Sequence, residues 1–137
     1  MRLRWAGAAF GLLALAAAGL APAASAAADP PSAAAAGAVT VITIIDVVPD
    51  YAMPGNVAAS EALLRGLADA ARHAPGVDSF EVLRDASRPN HFVILGRWRT
   101  MDAFAAYSGA DATRRFRQAF QPRQGGPFDE RVYVGLE

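Results

Sequence analysis

The chain contains no cysteine, so neither disulfides nor thiolate metal sites can support its fold. Histidine is almost missing too. His73 and His91 are the two present, and their separation matches no known metal-ligand spacing, so no metal is expected. Net charge is absent, because 13 basic and 13 acidic residues cancel. A near-neutral chain has no electrostatic footprint for nucleic acid. A Gly-rich phosphate loop, a Cys-x-x-Cys-His haem attachment and a nucleophile elbow are all lacking. Stability must therefore come from packing, including the packing of subunits.

What is present begins at the N-terminus. Arg2 and Arg4 precede an uncharged apolar run from Trp5 to Ala21, then Pro22 and the small-x-small site Ala24-Ser25-Ala26. These are the three parts of a secretory signal peptide over residues 1–26. The rival reading, a membrane anchor, has an Ala/Gly-rich run short of the about 20 residues a bilayer needs. Export to the periplasm or the medium is expected, with no membrane attachment after cleavage. Loss of Arg2 and Arg4 leaves the acids two in excess. Residues 27–38 (AADPPSAAAAGA) lack apolar periodicity and read as a flexible linker. The folded domain is then 39–137, enough for one core.

Within it, residues 39–48 (VTVITIIDVV) are largely β-branched, as in a strand buried on both faces. Asn56 suits the N-cap of a helix whose apolar stripe is Leu63, Leu64, Leu67, Ala68 and Ala71. Glu61, Arg65, Asp69 and Arg72 lie on its other side, and Pro75-Gly76 closes it. Residues 78–85 and 91–98 read as a hairpin turning at Arg88-Pro89-Asn90. Thr100 can cap a helix carrying Phe104 and Tyr107, interrupted at Gly109, with a second piece from about Asp111 carrying Phe116 and Phe120. Residues 131–136 form the last strand. The order β-α-β-β-α-β is that of an α+β, ferredoxin-like fold with an antiparallel sheet.

Such a sheet, covered by helices on one side, normally leaves its other side polar. Here Val41, Thr43, Ile45 and Val47 alternate with Ile42, Ile44 and Val48, so neither face of the first strand is polar. A second copy of the sheet would cover the open face, and a homodimer is expected.

In order along the chain, several features resemble the antibiotic-biosynthesis-monooxygenase (ABM) family of dimeric α/β barrels. They are Gly76 to Leu83, Arg88-Pro89-Asn90-His91-Phe92, Trp98, Phe104, Thr113 with Phe116-Arg117, and Asp129-Glu130-Arg131. The resemblance implies that fold, a homodimer, and a cofactor-independent monooxygenase using O2 on quinol-like or polycyclic aromatic molecules. Many relatives carry histidines where this chain has Tyr107 and Ala112. The haem-degrading branch needs an Asn, a Trp and a His where this chain has Ile45 or Asp46, Tyr107 and Arg117, so haem degradation is not expected. The alternative function is a non-catalytic, exported ligand-binding or stress-associated module of the same fold.

Oxygenation without a cofactor needs an apolar pocket, a base, and donors that stabilise a substrate anion. The candidate titratable groups are His91, ordinarily near neutral pKa, and Asp46, which interrupts an apolar strand. Against these roles stand a hairpin-stabilising histidine and a structural ion pair. Trp98, Tyr107 and Phe116 are the candidate substrate-binding aromatics, expected between the sheet and the second helical segment, and Tyr51 is a candidate lid residue. For each, core packing or simple surface exposure is the competing reading. Arg114, Arg115 and Arg117 read as a solvated helix face, with Arg117 near Asp129 or Glu130, and Asp129-Glu130-Arg131 reads as structural.

Overall fold

The computed structural model describes residues 37–136. The expected signal peptide and the linker as far as residue 36 lie outside the described residues. The order of elements is β1 (Val39–Asp46), α1 (Asn56–Ala71), β2 (Val77–Arg84), β3 (His91–Trp98), α2 (Met101–Ser108), α3 (Asp111–Phe120) and β4 (Asp129–Val134), with a 3-10 turn at Gln121–Arg123. The sheet order is β2-β3-β1-β4, and every neighbouring pair is antiparallel. This is the α+β, ferredoxin-like fold. The helices cover one sheet face.

Strand alternation explains the core. Val39, Val41, Thr43 and Ile45 of β1 point into the helix layer and are buried, as are Phe92, Ile94, Gly96 and Trp98 of β3. From α1, Leu64, Leu67, Ala68 and Ala71 meet them, and α3 adds Phe120. Along the solvent side of α1, Arg65 reaches Glu61 and Arg72 reaches Asp69. The Thr100 hydroxyl accepts from Ala103 N at 3.1 Å and caps α2. At the hairpin, Asp85 Oδ1 accepts from Ser87 N, Ser87 Oγ and Arg88 N, which fixes the turn. Those donors hold the Asp85 carboxyl well below the usual carboxylate range.

Three expectations need correction. First, β1 ends at Asp46 rather than residue 48, because the sheet partners stop there. Val47 forms an isolated bridge to Gln124, and Val48 N donates to Arg123 O at 2.9 Å. Second, the helix N-cap is Gly55, whose φ of 75° is a left-handed turn conformation. Asn56 begins the helix instead and is 1% exposed. Its Nδ2 donates to Val48 O (2.8 Å) and Arg123 O (3.1 Å), and its Oδ1 accepts from Arg123 Nη1 (3.1 Å). Asp50 Oδ1 takes the orphan Val57 N–H at 2.8 Å. Third, β4 starts at Asp129, two residues earlier than expected, since Asp129 pairs with Ile44 across the ladder. Burial of β1 on both faces is expected of the homodimer; within the single chain one face is buried. Thr40, Ile42 and Ile44 are half-buried and Asp46 is exposed, because among the described residues no element lies over that side.

Candidate functional site

Between the sheet and α2–α3 lies an apolar cavity. Val41, Ile94 and Gly96 form its floor, and Phe80, Trp98, Phe104, Tyr107 and Phe116 form its walls. The aromatic rings are in mutual contact. Trp98 and Tyr107 have ring centroids 4.6 Å apart, Phe80 meets Tyr107 edge-on at 5.8 Å, and Trp98 and Phe104 are 6.1 Å apart. Gly96 makes this arrangement possible. A Cβ there would lie 2.9 Å from Trp98 Nε1, so the indole occupies the space a larger residue would fill.

One end of the cavity is polar. Glu130 enters from β4, where its register partner is the buried Thr43. Thr43 Oγ1 donates to Glu130 Oε2 at 3.3 Å. Arg117 Nη2 donates to the same oxygen at 3.3 Å and to Ser108 Oγ at 3.4 Å. Burial pushes the Tyr107 phenol up to about 12, while the Thr113 hydroxyl and Arg117 pull it down and Glu130 pushes it further up. At neutral pH Tyr107 is therefore a hydrogen-bond donor and not a base. Among the described residues, the Arg117–Glu130 pair supplies the only charged side chains on the cavity walls.

The structure brings Trp98, Tyr107 and Phe116 together, as the sequence predicts. It does not bring His91 or Asp46 to them. Those two residues are register partners, with His91 Nδ1 2.7 Å from Asp46 Oδ1, and they lie on the open face of the sheet. Alternation forces this, since their neighbours Phe92 and Ile45 point into the core. The expectation that His91 or Asp46 is the titratable group of the aromatic cavity is thus corrected. Tyr51 is 92% exposed in the β1–α1 loop and does not line the aromatic cavity. Sequence reasoning missed Glu130 and Arg117 as site residues, yet both carry a periodic signal. Glu130 alternates with Asp129 and Arg131, and Arg117 lies one turn beyond Thr113 on the inward stripe of α3.

The internal volume is about 30 Å³, room for about one or two waters. Small-molecule sites commonly measure about 300–1,000 Å³. An aromatic ring therefore enters only if a wall moves. The walls best placed to move are on α2, which contains no fully buried residue, and α3, where Thr113 and Phe120 are the buried ones. Among the described residues no cluster of three or more His, Asp or Glu side chains could hold a metal ion.

Comparison with known proteins shows the family and the fold. The antibiotic biosynthesis monooxygenase family model matches residues 43–119, more than half of the chain. A putative antibiotic biosynthesis monooxygenase from Nitrosomonas europaea superposes with a TM-score of 0.66 at 21% identity, over 74% of this chain and 92% of that one. Rv0793 from Mycobacterium tuberculosis gives a TM-score of 0.65 at 22% identity, over 74% and 97%. A variant of SnoaB, a cofactor-independent oxygenase from Streptomyces nogalater, gives 0.63 at 18% identity, over 74% and 96%. At these identities the likeness to solved structures concerns the fold alone. No curated protein matches the sequence.

Proposed function

The chain belongs to the antibiotic biosynthesis monooxygenase family, and from that premise we propose that its cavity oxygenates quinol-like aromatic molecules with O2 and without a cofactor. The observation that carries this reading is the composition of the cavity: aromatic walls closed at one end by Arg117, Glu130 and the Tyr107 hydroxyl. A hydroquinone bound there meets a carboxylate that accepts its phenolic proton, and a guanidinium and a phenol that donate to the resulting oxyanion. The electron-rich anion, not the protein, reduces O2. One oxygen atom enters the ring, the other leaves as water, and a hydroquinone becomes a hydroxyquinone. Aromatic contact on both ring faces orients the substrate and excludes bulk water. We further propose that the enzyme is exported and works as a homodimer through the open sheet face.

Oxygen consumption with a panel of hydroquinones tests this reading. The wild type is expected to exceed the buffer control. Arg117→Met is expected to lower kcat by roughly 10²-fold or more, the scale of removing one oxyanion donor. His91→Ala, on the opposite sheet face, is expected to keep at least half the rate. Uptake at the buffer level with every hydroquinone would reject catalysis. A non-catalytic ligand-binding module is the second reading, favoured by the absence of either histidine from the cavity walls. It predicts binding of phenols without oxygen uptake.

A further inference from the structure

On the outer side of the helix layer, α1, α2 and α3 enclose a second, apolar groove of about 580 Å³, a volume within the range typical of small-molecule sites. It is not independent of the inner cavity. Leu67, Tyr107, Thr113 and Phe116 line both spaces, so the partition between them is one side chain thick. Phe116, half-buried on α3, lines both, and a turn of its ring is the movement that would join the two spaces. The inner space alone is too small for an aromatic ring, whereas the joined space is not. The groove walls contain one charged side chain, Arg115, and are otherwise almost wholly apolar.

A second observation concerns Gly66, in the middle of α1 and on the groove floor. Glycine inside a helix lowers its stability relative to alanine. Here no turn conformation or close approach requires it, because an added Cβ would meet nothing within 4 Å. A larger side chain at this position would project into the groove.

We propose that this groove is the outer half of the ligand site: the aromatic head occupies the inner cavity and an alkyl substituent passes Phe116 to lie between α1, α2 and α3. The substrate class is then an alkyl-substituted phenol or hydroquinone. The proposal rests on the reading of the inner cavity as the aromatic site.

Calorimetric titration of the full chain with 4-methylphenol and 4-hexylphenol tests it, because neither probe requires catalysis. The hexyl compound is expected to bind at least about tenfold more tightly, from burial of its extra methylenes. Gly66→Leu and Ala106→Trp each place bulk in the groove from an exposed helix position. Gly66→Leu also gains helix propensity, so it is not expected to unfold the protein. Each is expected to weaken hexylphenol binding by about fivefold or more while leaving methylphenol within about twofold. Equal affinity for the two phenols, no binding of either, or a chain-length preference that survives both substitutions would overturn the proposal. Oxygen uptake without any chain-length dependence would remove the groove and leave the oxygenase. Chain-length-dependent binding without uptake would do the reverse.

Discussion

Tyr107 is where the packing and the chemistry of the cavity meet. Its ring stacks on Trp98 and its phenol is pushed up to about 12, first by burial. A folded-state value above the unfolded value near 10 means that the native chain holds this proton longer than the unfolded chain. The associated stability is complete below pH 10 and is lost as the pH rises toward 12. Tyr107→Phe is expected to flatten that alkaline decline, as read by urea midpoints across pH 9 to 12. It is also expected to weaken phenol binding by about 0.5–1.5 kcal/mol, the usual net value of one hydrogen bond. An unchanged alkaline slope would place the hydroxyl outside this balance. Gly96→Ala tests the neighbouring wall. Its new methyl would sit 2.9 Å from Trp98 Nε1, and overpacking costs about 1–3 kcal/mol. A lowered melting temperature with a shifted indole emission is expected, and neither change would appear if the indole were free to move.

At the level of elements, the β1–α1 connection shows what a local pattern hides. Asn before an apolar periodic run is a sound N-cap signal, yet the asparagine is drawn inside by carbonyls from Val48 and the distant Arg123. Asn56→Ala leaves those carbonyls and the Arg123 guanidinium short of partners, so a loss of about 2–4 kcal/mol is expected in denaturant unfolding. A helix-cap role alone would cost only about 1 kcal/mol. At the other end of α1, Gly76 has φ 78° and an added Cβ would come 2.5 Å from Ala103 Cβ. Gly76→Ala combines a disfavoured backbone with a clash against α2, and a loss of at least about 1–2 kcal/mol is expected. Wild-type stability in that variant would mean that α2 can move away freely. The helix boundaries at Thr100 and Gly109 were legible because capping and interruption are local effects. The end of β1 was not, because a strand stops where its partners stop.

For the whole molecule, the open sheet face is the governing feature. Ile42, Ile44, Val93 and Leu95 form its half-buried centre, and Leu83 and Tyr133 are 50% and 45% exposed around it. The Asp46–His91 pair lies at one end of the same face. Sedimentation equilibrium at micromolar concentration is expected to give twice the chain mass. Ile44→Arg, which puts a charge at the centre of that face, is expected to give the monomer. A wild-type monomer with a soluble open face would sink the dimer.

The sequence by itself determined the order of elements, the antiparallel hairpin, the inward stripe of α1 and the apolar character of both faces of β1. Each follows from side-chain periodicity and capping, which act over a few residues. It also placed Trp98, Tyr107 and Phe116 at one site, because large aromatics around the third strand and the following helices have one gap to fill. Tertiary structure alone decided which polar groups join them. Glu130 reaches the cavity through its pairing with Thr43, 87 residues away in sequence, and Arg117 through the packing of α3 on the sheet. The same strand register sends Asp46 and His91 to the other face, because neighbouring residues of a strand point in opposite directions.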